Sequence, residues 1–263
     1  MRFQIGAFFP TRDMPADHVA IRDWAQAAEA IGFDFLEVSD HVLGADRAAL
    51  PDFQGPYDVN DAFHETFVTL AYIAAVTERV GLASGVLILP QRQTALVAKQ
   101  AAQVDIVSGG RLRLGIGVGW NPVEYAALGQ DWHVRGRRQA EQVGLMNRLW
   151  TEPTVTFAGT FDRVQHAGIN PLPIQRPIPI WFGGFTDAAI QRAGRLGETP
   201  RDCGPHGRRP ARARERRDHV LLRAPPTQQR RDRNRGDWAR ARYRLRYPAP
   251  AIARPRRSES LYW

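Results

Sequence analysis

Asp40 and His41 set a carboxylate beside an imidazole at the end of the apolar run Phe35–His41. An imidazole titrates close to neutrality, so it can give or take a proton at a reacting atom. The same pair can be structural, with the Asp as a cap and the His half-buried. Gly85 stands before Val86 inside the run Val80–Leu89, where a glycine marks a bulge or a close backbone approach. Gly115, Gly117 and Gly119 alternate, so they share one face of a strand leading to Trp120 and Asn121. That face offers either tight interior packing or room for a bound ring. Gly183 and Gly184 precede Phe185, Thr186 and a helical pattern. Free N–H groups at such a turn attract a phosphate, or Thr186 simply caps the helix. The lone cysteine, Cys203, excludes an internal disulfide and a multi-cysteine zinc cluster, and no metal site is expected.

These residues need elements to hold them. Apolar strand patterns cover Phe3–Phe9, Phe35–His41, Val80–Leu89, Arg111–Trp120 and Ile178–Gly184, and each is followed by a helical pattern. In the first helix Val19, Trp24, Ala27, Ala28 and Ile31 fall at helical spacing, with Gly32 as its stop. The run Val155–Val164 reads as a small hairpin turning at Ala158–Gly159. Five β-then-α units in succession imply a parallel sheet, apolar on both faces. A doubly wound sheet and an eightfold barrel both bind ligands at the C-terminal ends of their strands, where the Asp-His pair and the glycines lie. "GIGVGW" lacks a third glycine opening a helix, which disfavours a dinucleotide fold and favours the barrel.

At "VSDH", "VGLASGVLILPQR", "DIVSGGRLRLGIGVGWNPVEY", "RLWTEPTVTFAGTFDRV", "PLPIQRPIPIWFGG" and "RAGRLG" the chain resembles the bacterial luciferase-like family. More narrowly, it resembles the actinobacterial flavin- and deazaflavin-dependent oxidoreductases of that family, over Met1 to about Gly197. The resemblance implies a (β/α)8 TIM barrel, here incomplete, with coenzyme F420, favoured, or FMN bound at its C-terminal mouth. It implies a small-molecule substrate and, for intact relatives, a homodimer. By the same resemblance Asp40 and His41 lie against the reactive face of the ring, and a non-proline cis peptide at Gly85–Val86 backs it. Gly117, Gly119, Trp120 and Asn121 then border the ring, and Gly183, Gly184, Phe185 and Thr186 hold its phosphate. Several deazaflavin dehydrogenases carry a proton-donating Glu directly after the glycine run. This chain has Trp120 there, and Glu124, four residues on, need not substitute for it. That departure argues against a sugar-phosphate or alcohol dehydrogenase of that type.

The net charge of +9 is unevenly spread. Residues 1–200 carry 17 Lys+Arg against 21 Asp+Glu, whereas 201–263 carry 19 against 6. The body therefore has no electrostatic footprint for nucleic acid. No run of about 18 apolar residues points to a membrane span, and the first residues read as a strand rather than a signal peptide, so a cytoplasmic location is expected. The five units run to about Gly197, and the remainder is shorter than the roughly 90–100 residues that three more units need. The segment 198–263 is rich in arginine and shows no βα pattern. It reads as a basic nucleic-acid tail, an unusual extra domain, or a shifted reading frame. The shifted frame is favoured, because Arg233–Gly236 read one nucleotide on permits "Gly-Ile-Glu-Gly", a strand the luciferase-like family often carries. The chain would then be an inactive fragment of an enzyme.

Overall fold

Short apolar strands separated by helices must lie side by side, because each parallel connection needs a crossover that covers the sheet. The computed structural model of the protein describes residues 4–197 and 220–221. By packing, the chain divides into Met1–Arg223 and Ala224–Trp263, and every described residue belongs to the first unit. The elements are β1 (Gly6–Phe8), α1 (His18–Ile31), β2 (Phe35–Val38), α2 (Thr66–Val76), β3 (Gly81–Ser84), β4 (Leu87–Ile88) and α3 (Thr94–Val107). They continue with β5 (Leu112–Gly117), α4 (Pro122–Ala127), α5 (Arg135–Thr151), β6 (Val155–Ala158), β7 (Arg163–Ala167), β8 (Ile180–Gly183), α6 (Asp187–Gly197) and β9 (Val220–Leu221).

The main sheet runs β1-β2-β3-β5-β8-β9, parallel throughout, with β4 also beside β5. Position in the sheet follows position in the chain. A doubly wound sheet reverses direction at a switch point. The described sheet has no reversal, so its order is that of a (β/α) barrel, with five βα units. Val220–Leu221 lies in the segment read as irregular, yet it pairs in parallel with β8. The rest of the Arg-rich segment 198–263, and with it the shifted reading frame, lies outside the described residues.

The helices begin and end where their capping groups stand. Asp17 accepts a hydrogen bond from the Val19 N–H at the start of α1, and Gly32 closes it in the left-handed region at φ 97°. Outward-facing Leu36, Val38, Leu82, Leu112, Leu114 and Ile116 join the helices in one core. There Trp150 is fully buried and donates its indole N–H to the Ala98 carbonyl at 2.9 Å.

The opposite face of the strands differs from the expected apolar lining. Phe35, Ala83 and Trp181 form a separate small cluster there. A Cβ at Gly85 would run into Glu37, and one at Gly81 into Arg113, whose guanidinium lies 5.4 Å from the Trp181 ring centre. The inner face thus carries glycines and two charged side chains. Side chains alternate across a strand, so one sequence run supplies an aliphatic outer face and a sparse inner one. The β6–β7 hairpin stands apart. Its turn spans 159–162 rather than Ala158–Gly159, because the Glu141 carboxylate on α5 accepts the N–H groups of Thr160, Phe161 and Asp162.

Candidate active site

The loop after β2 delivers Asp40 and His41 to the C-terminal end of the sheet. Asp40 is 2 % exposed and both its oxygens are engaged. Oδ1 accepts from Arg92 Nη2 at 2.6 Å and Thr66 Oγ1 at 3.0 Å, and Oδ2 from the Ile88 N–H at 2.8 Å and Arg92 Nε at 3.3 Å. Burial would by itself lower the Arg92 pKa, but Asp40 and Glu65 outweigh it and hold the guanidinium above its ordinary value. A carboxylate so occupied is a clamp between β2, the segment after Gly85 and the start of α3.

His41 is differently placed. Its ring sits among Phe63, Trp120 and Tyr57, with ring centres 4.6, 5.3 and 5.4 Å away. Nδ1 lies 3.0 Å from Glu124 Oε2. Glu124, on α4, is 1 % exposed, and its Oε1 accepts from the Val42 and Leu43 N–H groups at 2.7 and 3.2 Å. Burial would raise this carboxyl, but His41 and the two backbone donors outweigh it and hold it below its ordinary value. An ionised carboxylate only accepts, so Nδ1 carries the hydrogen and Nε2 is the atom left for proton exchange. The sequence showed Glu124 only as a carboxylate four residues past Trp120 that need not replace the missing Glu; its pairing with His41 comes from the fold.

The Gly85–Val86 peptide bond is cis. Val86 projects between β5 and β8, and a Cβ on Gly117 or Gly183 would overlap its two methyl groups. A Cβ on Gly119, at φ 67°, would meet Ile88. The space left by these glycines is therefore filled by Val86 and Ile88, which makes Val86 a floor at the strand ends. Asp40 reaches the same segment through Ile88. Asn121 is 2 % exposed and spent on structure, capping α4 through the Val123 N–H and donating to the Leu43 carbonyl. Trp120 packs over Gly55 and against His41. Gly184 has φ 153°, and a Cβ there would meet Ala189. Thr186 accepts the Ala189 N–H at the start of α6, while Phe185 is 59 % exposed. A cavity of about 170 Å³ is lined by Phe8, Pro10, Thr11, Arg12, Asp13, Ser39, Tyr57 and Phe63, of which Tyr57 and Phe63 also pack on the His41 ring.

The structure thus brings Asp40, His41, Gly85, Val86, Gly117, Gly119, Trp120, Asn121 and Gly183 to one end of the sheet. Gly184, Phe185 and Thr186 continue from it. Among the described residues, no group of three or more His, Cys, Asp or Glu could hold a metal ion. No described helix is long and apolar enough to cross a membrane.

A parallel sheet in chain order, with a carboxylate-oriented imidazole at its C-terminal end, defines a barrel-type α/β scaffold. A family model for luciferase-like monooxygenase matches residues 1–245, and the chain belongs to that family. It is 32 % identical over 181 residues to an FMNH2-dependent dimethylsulfone monooxygenase of Pseudomonas putida, covering 67 % of this chain and 46 % of that protein. It is 35 % identical over 185 residues to an F420-dependent glucose-6-phosphate dehydrogenase of Intrasporangium calvum, covering 67 % of this chain and 51 % of that one. The chain thus spans about half the length of these relatives. Its fold is similar to that of the monooxygenase RslO1 from Streptomyces bottropensis, with a TM-score of 0.60 at 26 % identity, over 75 % of this chain and 58 % of that one.

Proposed function

We propose that the chain binds a deazaflavin or flavin at the C-terminal end of its strands and that His41 exchanges a proton with a small-molecule substrate there. The observation carrying this reading is the His41–Glu124 pair, which leaves one imidazole nitrogen for proton exchange among the aromatic side chains Tyr57, Phe63 and Trp120. The donor set fits such a group. Val86 supplies an apolar floor, and the Gly183–Thr186 turn suits a phosphate. When bound, the ring supplies hydride transfer or oxygen activation. Asp40 keeps His41 in place by tying β2 to the Ile88 backbone and Arg92.

F420 is the favoured cofactor. A hydride passing between the ring and a substrate carbon leaves a proton to be placed at a neighbouring atom, and a histidine with a fixed tautomer meets that need. The monooxygenase reading with reduced FMN is supported by the likeness to the P. putida protein. Titrating the purified full chain with oxidised F420 and with FMN, by fluorescence quenching, separates the two. F420 binding is expected, with His41→Asn slowing substrate-dependent F420 reduction by about 10²–10⁴-fold at unchanged cofactor affinity. Binding of FMN alone moves the assignment to the monooxygenase, and binding of neither overturns the proposal.

A further inference from the structure

The end of the sheet opposite His41 holds a second, polar cavity. It measures about 310 Å³ and opens at the N-terminal ends of β2, β3, β5 and β8, with Arg79, Arg111, Arg113 and Asp34 as its charged lining. Three guanidinium groups thus stand against one carboxylate. Arg111 is fully engaged. Its N–H groups go to the Ser108, Val80, Ala74 and Thr77 carbonyls and to Thr77 Oγ1, at 2.6–3.0 Å. Those oxygens are neutral, so its hydrogens are used while its charge remains. Arg113 is the reverse. It is half-buried, its guanidinium lies 5.4 Å from the Trp181 ring centre, and it makes no hydrogen bond or ion pair among the described residues. Gly81 makes room for it, since a Cβ there would meet Arg113 Nη1 at 2.5 Å. Arg79 lines the cavity from the segment between α2 and β3. Its side chain is 71 % exposed and lies 4.0 Å from Glu78.

Half-burying a cation without a contacting anion is unfavourable. Burial holds both Arg111 and Arg113 below the ordinary guanidinium pKa, with only the more distant charges of Glu29 and Asp34 opposing it. An oxyanion in the cavity would reverse that penalty. A guanidinium held over an aromatic ring keeps its N–H fork in place for such a group. The other polar lining narrows the chemistry. Gln175 already gives its amide hydrogens to Asp105 and to the Leu112 carbonyl, at 2.6 and 2.8 Å. The hydrogen bonds offered to a ligand therefore come from Arg113 and Arg79, and the field from all three arginines. An excess of two positive charges suits a dianion. The volume is that of a small-molecule site rather than a hole for a single water.

We propose that the N-terminal end of the sheet binds a small dianionic molecule through Arg113 and Arg79, in the field of Arg111. The site stands on its own observations and needs neither His41 nor a ring at the other end of the strands. The two negative charges belong either to a phosphate group or to a pair of carboxylates, and two arms of one experiment separate them. The full chain is titrated calorimetrically with inorganic phosphate and with succinate, and with acetate as the monoanion, all at equal ionic strength. At least one dianion should bind, and acetate should bind about tenfold more weakly or worse. Tighter phosphate identifies a phosphorylated ligand, and tighter succinate a dicarboxylate. Arg113→Gln should weaken the bound dianion about tenfold or more, and Arg113→Lys, which keeps the charge but not the fork, should recover only part of that loss. Arg79→Gln should weaken it about threefold or more. Arg79 is exposed, so this variant keeps the test open if Arg113→Gln melts below wild type. Failure of both dianions to bind, acetate binding as tightly as they do, or affinities unchanged in both Arg113→Gln and Arg79→Gln overturns the proposal whatever the outcome at His41.

Discussion

A carboxylate that is both buried and charged must be surrounded by donors, and Glu124 is, with His41, Val42 and Leu43 around it. Glu124→Gln keeps the shape but can no longer dictate which His41 nitrogen carries the hydrogen. Turnover should fall about 10²-fold or more with KM little changed, measured as kcat against pH with the accepted cofactor. Stability supplies a second readout. The folded-state pKa of Glu124 lies below its ordinary value, so its stabilisation is complete above the unfolded pKa, about 4.3. It is lost as pH falls through the lower, folded value. Wild type should therefore lose more Tm between about pH 5 and pH 3 than Glu124→Gln does. Asp40 and His41 were legible because two polar residues ending an apolar strand are conspicuous. Their partners were not: Arg92 lies 52 residues from Asp40, and Glu124 lies 83 from His41. No local pattern encodes such pairings.

Between elements, the alternating glycines were legible as a shared face but not as to what fills it. Periodicity gives the side of a strand, whereas the occupant comes from another strand, here Val86 after the cis peptide. Gly117→Ala should push its new methyl into Val86 and destabilise the fold by about 1–3 kcal/mol. Val86→Ala in the same chain should restore part of that loss. A double-mutant cycle read by chemical denaturation checks this, and additive effects would contradict that packing. Element boundaries shifted for similar reasons. The run Val80–Leu89 reads as one strand, but it is divided into β3 and β4 at Gly85–Val86. The hairpin turn moved because Glu141 on a neighbouring helix gathers three of its N–H groups.

At the scale of the whole described unit, protection should follow the layering. β2, β3 and β5 lie inside the sheet beneath packed helices, whereas most of β7 faces solvent. Hydrogen exchange measured by mass spectrometry should find the slowest amides in β2, β3 and β5 and fast exchange in the β6–β7 hairpin. Equal protection of the hairpin would mean that it is covered. Five βα units, their order and the strand ends that carry the polar residues were all readable from the chain, because they depend on local periodicity and on short connections. The choice of a barrel over a doubly wound sheet was only favoured until the strand order settled it. Strand order depends on which crossovers pack beside one another, a property of the assembled layers. The sequence by itself determined the elements and the chemistry available at their ends. Tertiary structure decided which groups are paired: Asp40 to Arg92, His41 to Glu124, Val86 to two glycines, and Arg113 to the Trp181 ring. Pairing needs distance, and distance between residues far apart in the chain exists only once it has folded.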